Sequence, residues 1–242
     1  DSVEAQPTKV FRVGVIHQGG PYKAVVNGLQ DGLRQLGLEE GKQFLLNVRD
    51  SKGDLKAVEA AARVFEKDRV NLIFVVTTSA VTPVKQVTSQ IPIVFAVGSD
   101  PVASGFVQSF AKPGGRLTGV QYSTLDLTGK RLEILKEMLP KLSRIVTVYN
   151  PDNRIAVEAV ALARQAAKQL GIRLVERRAA TLEELRQQVG ALSAKEADAY
   201  FYTSDAMVTS QAQLVIDAAS SKKLPTMFAE QSPVVMGGLA SY

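Results

Sequence analysis

The sequence predicts an α/β protein of two similar lobes, each a parallel sheet flanked by helices. Apolar runs of strand length alternate with helical segments along the 242 residues. These runs are apolar on both faces, which is typical of parallel strands covered by helices on each side. The halves also match in order: "TTSAV" (residues 77–81) corresponds to "TSDAM" (203–207), and "IPIVFA" (91–96) corresponds to "LPTMFA" (224–229). A single continuous sheet is the alternative.

The first half contains four predicted strands and three predicted helices. The first helix ends at Gly37, a common C-terminal stop, and Asp54 is expected to cap the second helix. The predicted strands are residues 10–16, 42–48, 71–76 and 91–97, and the predicted helices are residues 21–36, a helix after Asp54, and residues 80–88. A loop rich in Gly and Pro leads on to Val120.

The alternation of strand and helix restarts in the second half. Thr181 is expected to cap a helix, with Glu184 three residues later as in a capping box. The predicted strands are residues 144–150, 172–178, 198–203 and 224–229, and the other predicted helices are residues 126–139, 153–170 and one ending near residue 220. We place the two lobes at residues 1–120 and 121–236, joined near residues 117–124.

Composition and charge exclude several classes of function. The net charge of +5 comes from 29 Lys+Arg against 24 Asp+Glu and is spread thinly, so we predict no nucleic-acid partner. The chain has no cysteine and one histidine, His17, which excludes disulfides and a His-rich zinc site. We therefore expect no metal and no cofactor. We interpret His17 as a hydrogen-bonded residue at a strand end.

Two strands of the predicted sheets end in polar residues that suit ligand binding. Thr77, Thr78 and Ser79 follow the third strand, and Thr203, Ser204 and Asp205 follow its counterpart in the second half. Ligands of parallel α/β sheets bind at the carboxyl ends of the strands, where helix N-termini favour negative charge. The hydroxyls suit a carboxylate and Asp205 suits an ammonium. Helix capping is the structural alternative, and it needs one such residue per helix.

Other strand ends add further polar candidates. The predicted ligand-binding set is Gln18, Tyr22, Thr77, Thr78, Ser79, Ser99, Asp100, Asn150, Asn153, Ser204, Asp205 and Glu230. Asn150 and Asn153 have an alternative role in a turn and a helix cap, and Tyr22 has one in the core. No phosphate loop, dinucleotide fingerprint or acid/base pair occurs, so we predict binding rather than catalysis and assign no catalytic residue.

The chain resembles the substrate-binding proteins of ABC importers, in the branch associated with tryptophan and tyrosine uptake. The resemblance covers nearly the whole chain. It rests on "GLQDGLRQLGL", "GSDPVASGFVQSFAKPGGRLTGV", "RLEILKEMLPKLSRIVTVYNPDN", "TSDAMV" and "GGLASY". The second of these blocks is the most specific.

This resemblance implies the type I periplasmic binding protein fold, in which two Rossmann-like lobes close on a ligand by hinge bending. It implies a receptor in the periplasm or on the outer face of the cell membrane that binds an amino acid, possibly aromatic, or a small carboxylic acid. The ligand would lie in the cleft between the lobes, and an ABC permease would be the partner of a monomeric receptor. The hinges map onto "GVQYST" and "GGLASY".

Two departures from the family pattern accompany the resemblance. We expect the C-terminal part of the fold to be missing, with residues 237–242 beginning the return to the first lobe. The lipid-anchor cysteine is also absent. The sequence leaves two other functions open: the ligand-sensing core of a LacI-like transcription regulator without its DNA-binding module, and a doubly wound enzyme.

Overall fold

The computed structural model describes residues 10–122 and 125–242, and within them the chain forms two compact units. The first unit comprises residues 10–51, 55–97 and 101–120. The second comprises residues 52–54, 98–100 and the described residues from 121 to 242. Ser123 and Thr124, part of one predicted hinge, lie outside the described residues.

The first unit is built on a five-stranded sheet in the order β2-β1-β3-β4-β5. Its strands are β1 (Phe11–His17), β2 (Phe44–Asp50), β3 (Leu72–Val76), β4 (Ile93–Val97) and β5 (Leu117–Gln121). Its helices are α1 (Lys23–Gln35), α2 (Leu55–Lys67) and α3 (Thr78–Val87), with a 3-10 turn at Gly20–Tyr22. The pairings of β1 with β2 and β3, and of β3 with β4, are parallel.

Helix α2 packs on this sheet through an apolar stripe. Val58, Ala62 and Phe65 recur at helical spacing and are fully buried. The Phe65 ring lies against the backbone of Gly14 in β1, where an added Cβ would stand 2.4 Å from the ring. A glycine is therefore required at this position for the helix to approach the strand.

The second unit has its own five-stranded sheet in the order β10-β9-β8-β6-β7. Its strands are β6 (Arg144–Tyr149), β7 (Arg173–Arg178), β8 (Ala199–Phe201), β9 (Thr226–Phe228) and β10 (Ala240–Ser241). Its helices are α4 (Thr128–Met138), α5 (Arg154–Gln169), α6 (Leu182–Gly190), α7 (Ala206–Ser210), α8 (Ala212–Ser221) and α9 (Ser232–Val235). The core includes Tyr200, Tyr202 and Phe228. The ring centroids of Tyr200 and Tyr202 lie 6.1 Å and 5.9 Å from that of Phe228.

The capping predictions for the second unit are confirmed. Thr181 Oγ1 accepts a hydrogen bond from Glu184 N at 3.1 Å, and Glu184 Oε2 accepts one from Ala180 N at 2.7 Å. In a capping box the glutamate accepts from the amide of the cap residue itself. Here Glu184 accepts instead from Ala180, the residue before the cap. Asn153 caps α5 by accepting from Ile155 N at 3.1 Å.

The prediction of two sheets is confirmed, and the single-sheet alternative is wrong. Two local features differ from the sequence prediction. The end of the Gly- and Pro-rich loop forms the edge strand β5, and the helix predicted after β8 is interrupted at Gln211. Residues 237–242 contribute β10 beside β9 in the second unit, and that they begin a return to the first lobe stays a prediction.

Candidate functional site

Three polar residues meet at the carboxyl ends of β1 and β3 in the first unit. The amide of Gln18 follows β1, and its Nε2 donates hydrogen bonds to Thr77 Oγ1 and, over 2.8 Å, to Ser79 Oγ. Thr77 connects β3 to α3, and Ser79 lies in the first turn of α3. We call Gln18, Thr77 and Ser79 the hydroxyl seat.

The hydrogen bonding of the hydroxyl seat leaves it a net donor. Both hydroxyl oxygens accept from Gln18, so their own hydrogens are available for donation. The two oxygens lie 3.4 Å apart, and that contact can use only one of the two hydrogens. At least one hydroxyl hydrogen therefore has no acceptor within the described part of the chain, and it lies beside the N-terminus of a ten-residue helix. This arrangement suits an anion.

Thr77 has a strained backbone. Its φ of 87° with ψ of 143° lies in a region that side-chain-bearing residues rarely adopt. Its amide still donates to Ala96 O at 2.9 Å, which keeps it attached to the end of β4. Strain of this kind persists where the surrounding structure enforces it, and such positions cluster at functional sites. Thr78, the next predicted residue, is buried at the start of α3.

Asp205, the predicted partner of an ammonium, is buried and bonded to backbone. Its Oδ1 accepts from Met207 N at 2.8 Å and Val208 N at 3.2 Å, which caps α7. Its Oδ2 accepts from Asn150 N at 2.7 Å, which ties the end of β6 to the end of β8. Burial raises the pKa of Asp205 to about 6, although these three hydrogen bonds act in the opposite direction. Both oxygens thus serve the architecture of the strand ends.

The neighbours of Asp205 adopt similar structural roles. Asn150 Oδ1 accepts from Asp152 N at 2.8 Å, so Asn150 forms a turn. Asn153 is the cap of α5. Thr203 bonds through its hydroxyl to the Thr147 hydroxyl at 2.9 Å inside the sheet, and Ser204 is buried next to it.

A second polar group forms around Glu230, which follows β9. Arg131, from α4, is 2% exposed and is the largest fully buried side chain of the described residues; its Nη2 donates to Thr128 Oγ1 at 3.1 Å. Burial lowers the pKa of Arg131, whereas nearby Tyr202 and Glu230 raise it. Burial raises the pKa of Glu230, and the charge of Arg131 opposes this. We call Glu230, Arg131, Tyr202 and Tyr122 the Glu230 cluster.

The two tyrosines of the Glu230 cluster remain neutral over the physiological range. Burial of its hydroxyl, together with the charge of Glu230, raises the pKa of Tyr122 to about 12, although 38% of the residue is exposed. Burial and Glu230 also raise the pKa of Tyr202 well above its usual value. The Tyr202 hydroxyl accepts from Asp205 N at 3.0 Å and bonds to Thr209 Oγ1.

Arg131 was not among the residues chosen from the sequence. It stands next to Leu132 in α4, where Leu132 and Leu135 are buried. It was passed over because a charged arginine normally faces solvent. The signal that could have found it is helical spacing, because Arg131 falls between Thr128 and Leu135 on the buried face.

The remaining predicted residues lie near the ends of β1 and β4. Tyr22 is partly buried against the apolar cluster around Val13 and Val26. Ser99 is buried and Asp100 is exposed, both in the loop after β4. His17 is 4% exposed, its Nδ1 accepts from Gly19 N at 3.0 Å, and burial lowers its pKa. His17 is thus the hydrogen-bonded strand-end residue that the sequence predicted.

Two α/β units with parallel sheets and polar carboxyl ends define the class of type I periplasmic binding proteins. The model of the family "ABC transporter substrate binding protein" matches residues 12–242. The chain therefore belongs to the ABC transporter substrate-binding protein family. Membership favours the transport receptor over the regulator and the enzyme that the sequence left open. None of the helices in residues 10–122 and 125–242 has both the length and the apolar character needed to cross a bilayer.

Similar proteins include one with a named ligand. The "Tyrosine-binding protein" of Clostridioides difficile (strain R20291) is 28% identical over 217 residues, which are 88% of this chain and 61% of that protein. The chain thus spans about three fifths of the length of this relative.

Two solved structures share the fold over nearly the whole chain. A conserved domain protein from Vibrio cholerae is 32% identical, with a TM-score of 0.85 over 96% of this chain and 78% of that chain. An ABC domain in complex with L-Trp, from Streptococcus pneumonia, is 23% identical, with a TM-score of 0.83 over the same shares.

Proposed function

We propose that the protein is the extracytoplasmic receptor of an ABC importer. As a monomer, it binds a small polar ligand, an amino acid, and delivers it to a membrane permease. The observation that carries this proposal is the hydroxyl seat. Its hydroxyls accept from Gln18 and have a hydrogen left to donate, at the start of α3. A ligand carboxylate is the group that this donor set fits best, because charge strengthens each hydrogen bond.

The proposed ligand is an aromatic amino acid, with tyrosine as the first candidate. The 28% identical tyrosine-binding relative supports this choice. Of the three tyrosines expected from the sequence as aromatic partners, Tyr122 is 38% exposed, whereas Tyr22 and Tyr202 pack against hydrophobic clusters. Thr78, Ser99, Asp100, Asn150, Asn153 and Ser204 remain proposed contacts of the ligand or of the residues that hold it.

Glu230 is favoured over Asp205 as the acceptor for the ligand's ammonium. Both oxygens of Asp205 already accept backbone N–H groups. Glu230 Oε2, in contrast, is buried without a hydrogen-bond partner in the described part of the chain. Asp205 then affects ligand binding indirectly, because it holds the ends of β6 and β8 together.

Isothermal titration calorimetry with L-tyrosine tests the proposal. Ser79→Ala removes one donor to the carboxylate, and we expect the Kd to rise about tenfold, equivalent to about 1.4 kcal/mol. Thr82→Ala is the matched control, because Thr82 lies on the exposed face of the same helix and should leave the Kd unchanged. Equal affinities of Ser79→Ala and the unsubstituted protein would remove the hydroxyl seat from the ligand site.

A further inference from the structure

His17 holds the chain on both sides of Gln18, the residue whose amide organises the hydroxyl seat. Its backbone oxygen accepts from the amide of Ser51 at 2.9 Å and from the Ser51 hydroxyl at 3.2 Å, which fixes the end of β1. Its imidazole Nδ1 accepts from Gly19 N at 3.0 Å, which fixes the first residue after Gln18. The backbone of Gln18 therefore lies between two contacts that both belong to His17.

The turn after Gln18 needs a contact of this kind because it is built from glycines. Gly19 has a φ of 79° and Gly20 has a φ of 53°, and glycine adopts such positive values without steric cost. The same freedom gives a glycine turn many alternative conformations. The bond from Gly19 N to the ring selects one of them, and with it the direction in which the Gln18 side chain leaves the strand.

The bond to Gly19 requires the neutral form of the imidazole. A backbone N–H can only donate, so Nδ1 must keep its lone pair and the ring proton must be on Nε2. The imidazolium form carries a proton on both nitrogens and would place two donors face to face. Protonation of His17 therefore breaks the contact that fixes the turn.

The groups that face the ring of His17 come from β2 and α1. His17 is 4% exposed, and burial lowers its pKa. The carboxylate of Asp50, its partner in β2, acts in the opposite direction, and the ammonium of Lys23, at the start of α1, adds to the lowering. A base with a lower pKa in the folded state favours its neutral form there. Acid below the unfolded pKa of about 6.5 therefore favours conformations that release the ring.

We propose that His17 is a positioning residue of the hydroxyl seat, whose neutral imidazole fixes the glycine turn and thereby holds Gln18 Nε2 against Thr77 and Ser79. This inference rests on the proposed function and adds a pH dependence to it. Once the turn is released, Gln18 no longer orients the two hydroxyls towards a carboxylate, and the ligand is bound more weakly in acid. The role needs no contact between His17 and the ligand.

The ring itself can be observed without a ligand, because His17 is the single histidine of the chain. In ¹⁵N-labelled protein without a histidine tag, two-bond ¹H–¹⁵N spectra report which ring nitrogen carries the proton. We expect Nε2 to be protonated and Nδ1 to be unprotonated at about pH 8, with a titration midpoint below the usual value of about 6.5. A proton on Nδ1 at that pH, or a midpoint at or above the usual value, would overturn the inference.

The ligand test is calorimetry with L-tyrosine at about pH 7 and about pH 5 on the unsubstituted protein and His17→Asn. An asparagine oxygen can replace Nδ1 as the acceptor and does not titrate in this range. We expect equal Kd values near pH 7 and a Kd about threefold higher or more for the unsubstituted protein near pH 5. Asp205, whose pKa is about 6, titrates in both proteins, so the ratio of the two Kd values isolates His17.

His17→Gln is the matched control, because it is polar but places its amide where Nε2 lies, away from Gly19 N. It should bind tyrosine more weakly than His17→Asn at both pH values. A ratio between the unsubstituted protein and His17→Asn that stays constant from pH 7 to pH 5 would overturn this inference alone. Absence of tyrosine binding by the unsubstituted protein at pH 7 would overturn the proposed function and this inference together.

Discussion

At the scale of single residues, Thr77 combines a strained backbone with a hydroxyl of the hydroxyl seat. Its hydroxyl belongs to the hydroxyl seat, while its backbone has a φ of 87°. A glycine would adopt this conformation without steric cost but would remove the hydroxyl. The presence of threonine therefore indicates that its hydroxyl makes a contribution that offsets the backbone strain. Such strain typically costs about 1–3 kcal/mol.

Two variants of Thr77 test this interpretation. Thr77→Ala keeps the strain and loses the hydroxyl, whereas Thr77→Gly loses both. We expect Thr77→Gly to be more stable than Thr77→Ala by about 1 kcal/mol in urea unfolding, the reverse of the usual ranking of these residues. Both variants should bind tyrosine more weakly than the unsubstituted protein. If Thr77→Ala were the more stable variant, the backbone of Thr77 would carry no strain.

Some residues of the candidate site could be predicted from the sequence, and the contacts of others could not. Hydroxyls directly after an apolar strand are a local pattern, so Thr77 and Ser79 could be proposed without a structure. The bond that joins Gln18 to both spans 59 and 61 positions and has no local signature. Asp205 was assigned a ligand because its charge is visible in sequence, while the three backbone donors that occupy it are not.

At the scale of elements, the start of β8 is held to the start of β6 by one side chain. Asp198 Oδ2 accepts from the amides of Ser143 and Arg144, each at 2.9 Å, and from the Ser143 hydroxyl at 2.8 Å. Its Oδ1 accepts from Arg144 Nη2 at 2.8 Å. Burial alone would raise the pKa of Asp198, but these hydrogen bonds together hold it well below its usual value.

This depressed pKa gives Asp198→Asn a defined pH dependence. A carboxyl whose pKa is lower in the folded state stabilises the fold above its unfolded pKa of about 3.9, and the stabilisation is lost as the pH falls towards the folded value. We expect Asp198→Asn to cost about 2 kcal/mol near pH 7 in chemical unfolding. The cost should shrink steadily below about pH 4.

The control for Asp198 is Asp217→Asn. Asp217 is exposed on α8 and accepts a single bond from Gln213, so its replacement should cost little at any pH. A cost for Asp198→Asn that stayed constant across the acid range would mean that the charge of Asp198 contributes nothing.

Most elements could be predicted because their signals are local. Helix α2 shows apolar residues at helical spacing, and α6 shows a capping box. Strand β5 was missed because four of its five residues are exposed, so it lacks the buried apolar run of the others. The interruption at Gln211 was missed because the sequence on both sides favours helix, and the break occurs without Gly or Pro.

At the scale of the whole molecule, each unit has its own hydrophobic core. One cluster around Val58, Phe65 and Ile73 belongs to the first unit. Another around Tyr200, Val215 and Phe228 belongs to the second. Units with separate cores can open separately, so damage to one core should remain largely within its unit.

Gly14→Ala tests this separation. The new Cβ would overlap the Phe65 ring, and we expect a loss of about 1–3 kcal/mol from overpacking. Hydrogen exchange followed by mass spectrometry should show faster exchange in β1 and β3 and unchanged exchange in β6 and β8. Gly28→Ala in α1 is the control, because nothing lies within 4 Å of its added Cβ and alanine favours the helix. Equal acceleration in both sheets would show that the cores unfold as one.

The tyrosines beside Glu230 have an optical consequence. The chain contains six tyrosines and no tryptophan, so its near-ultraviolet circular dichroism arises from tyrosine and phenylalanine alone. Burial and the charge of Glu230 raise the pKa of both Tyr122 and Tyr202. A change of charge at that carboxyl alters the electric field at both rings, so it should be visible in the near-ultraviolet spectrum of the protein.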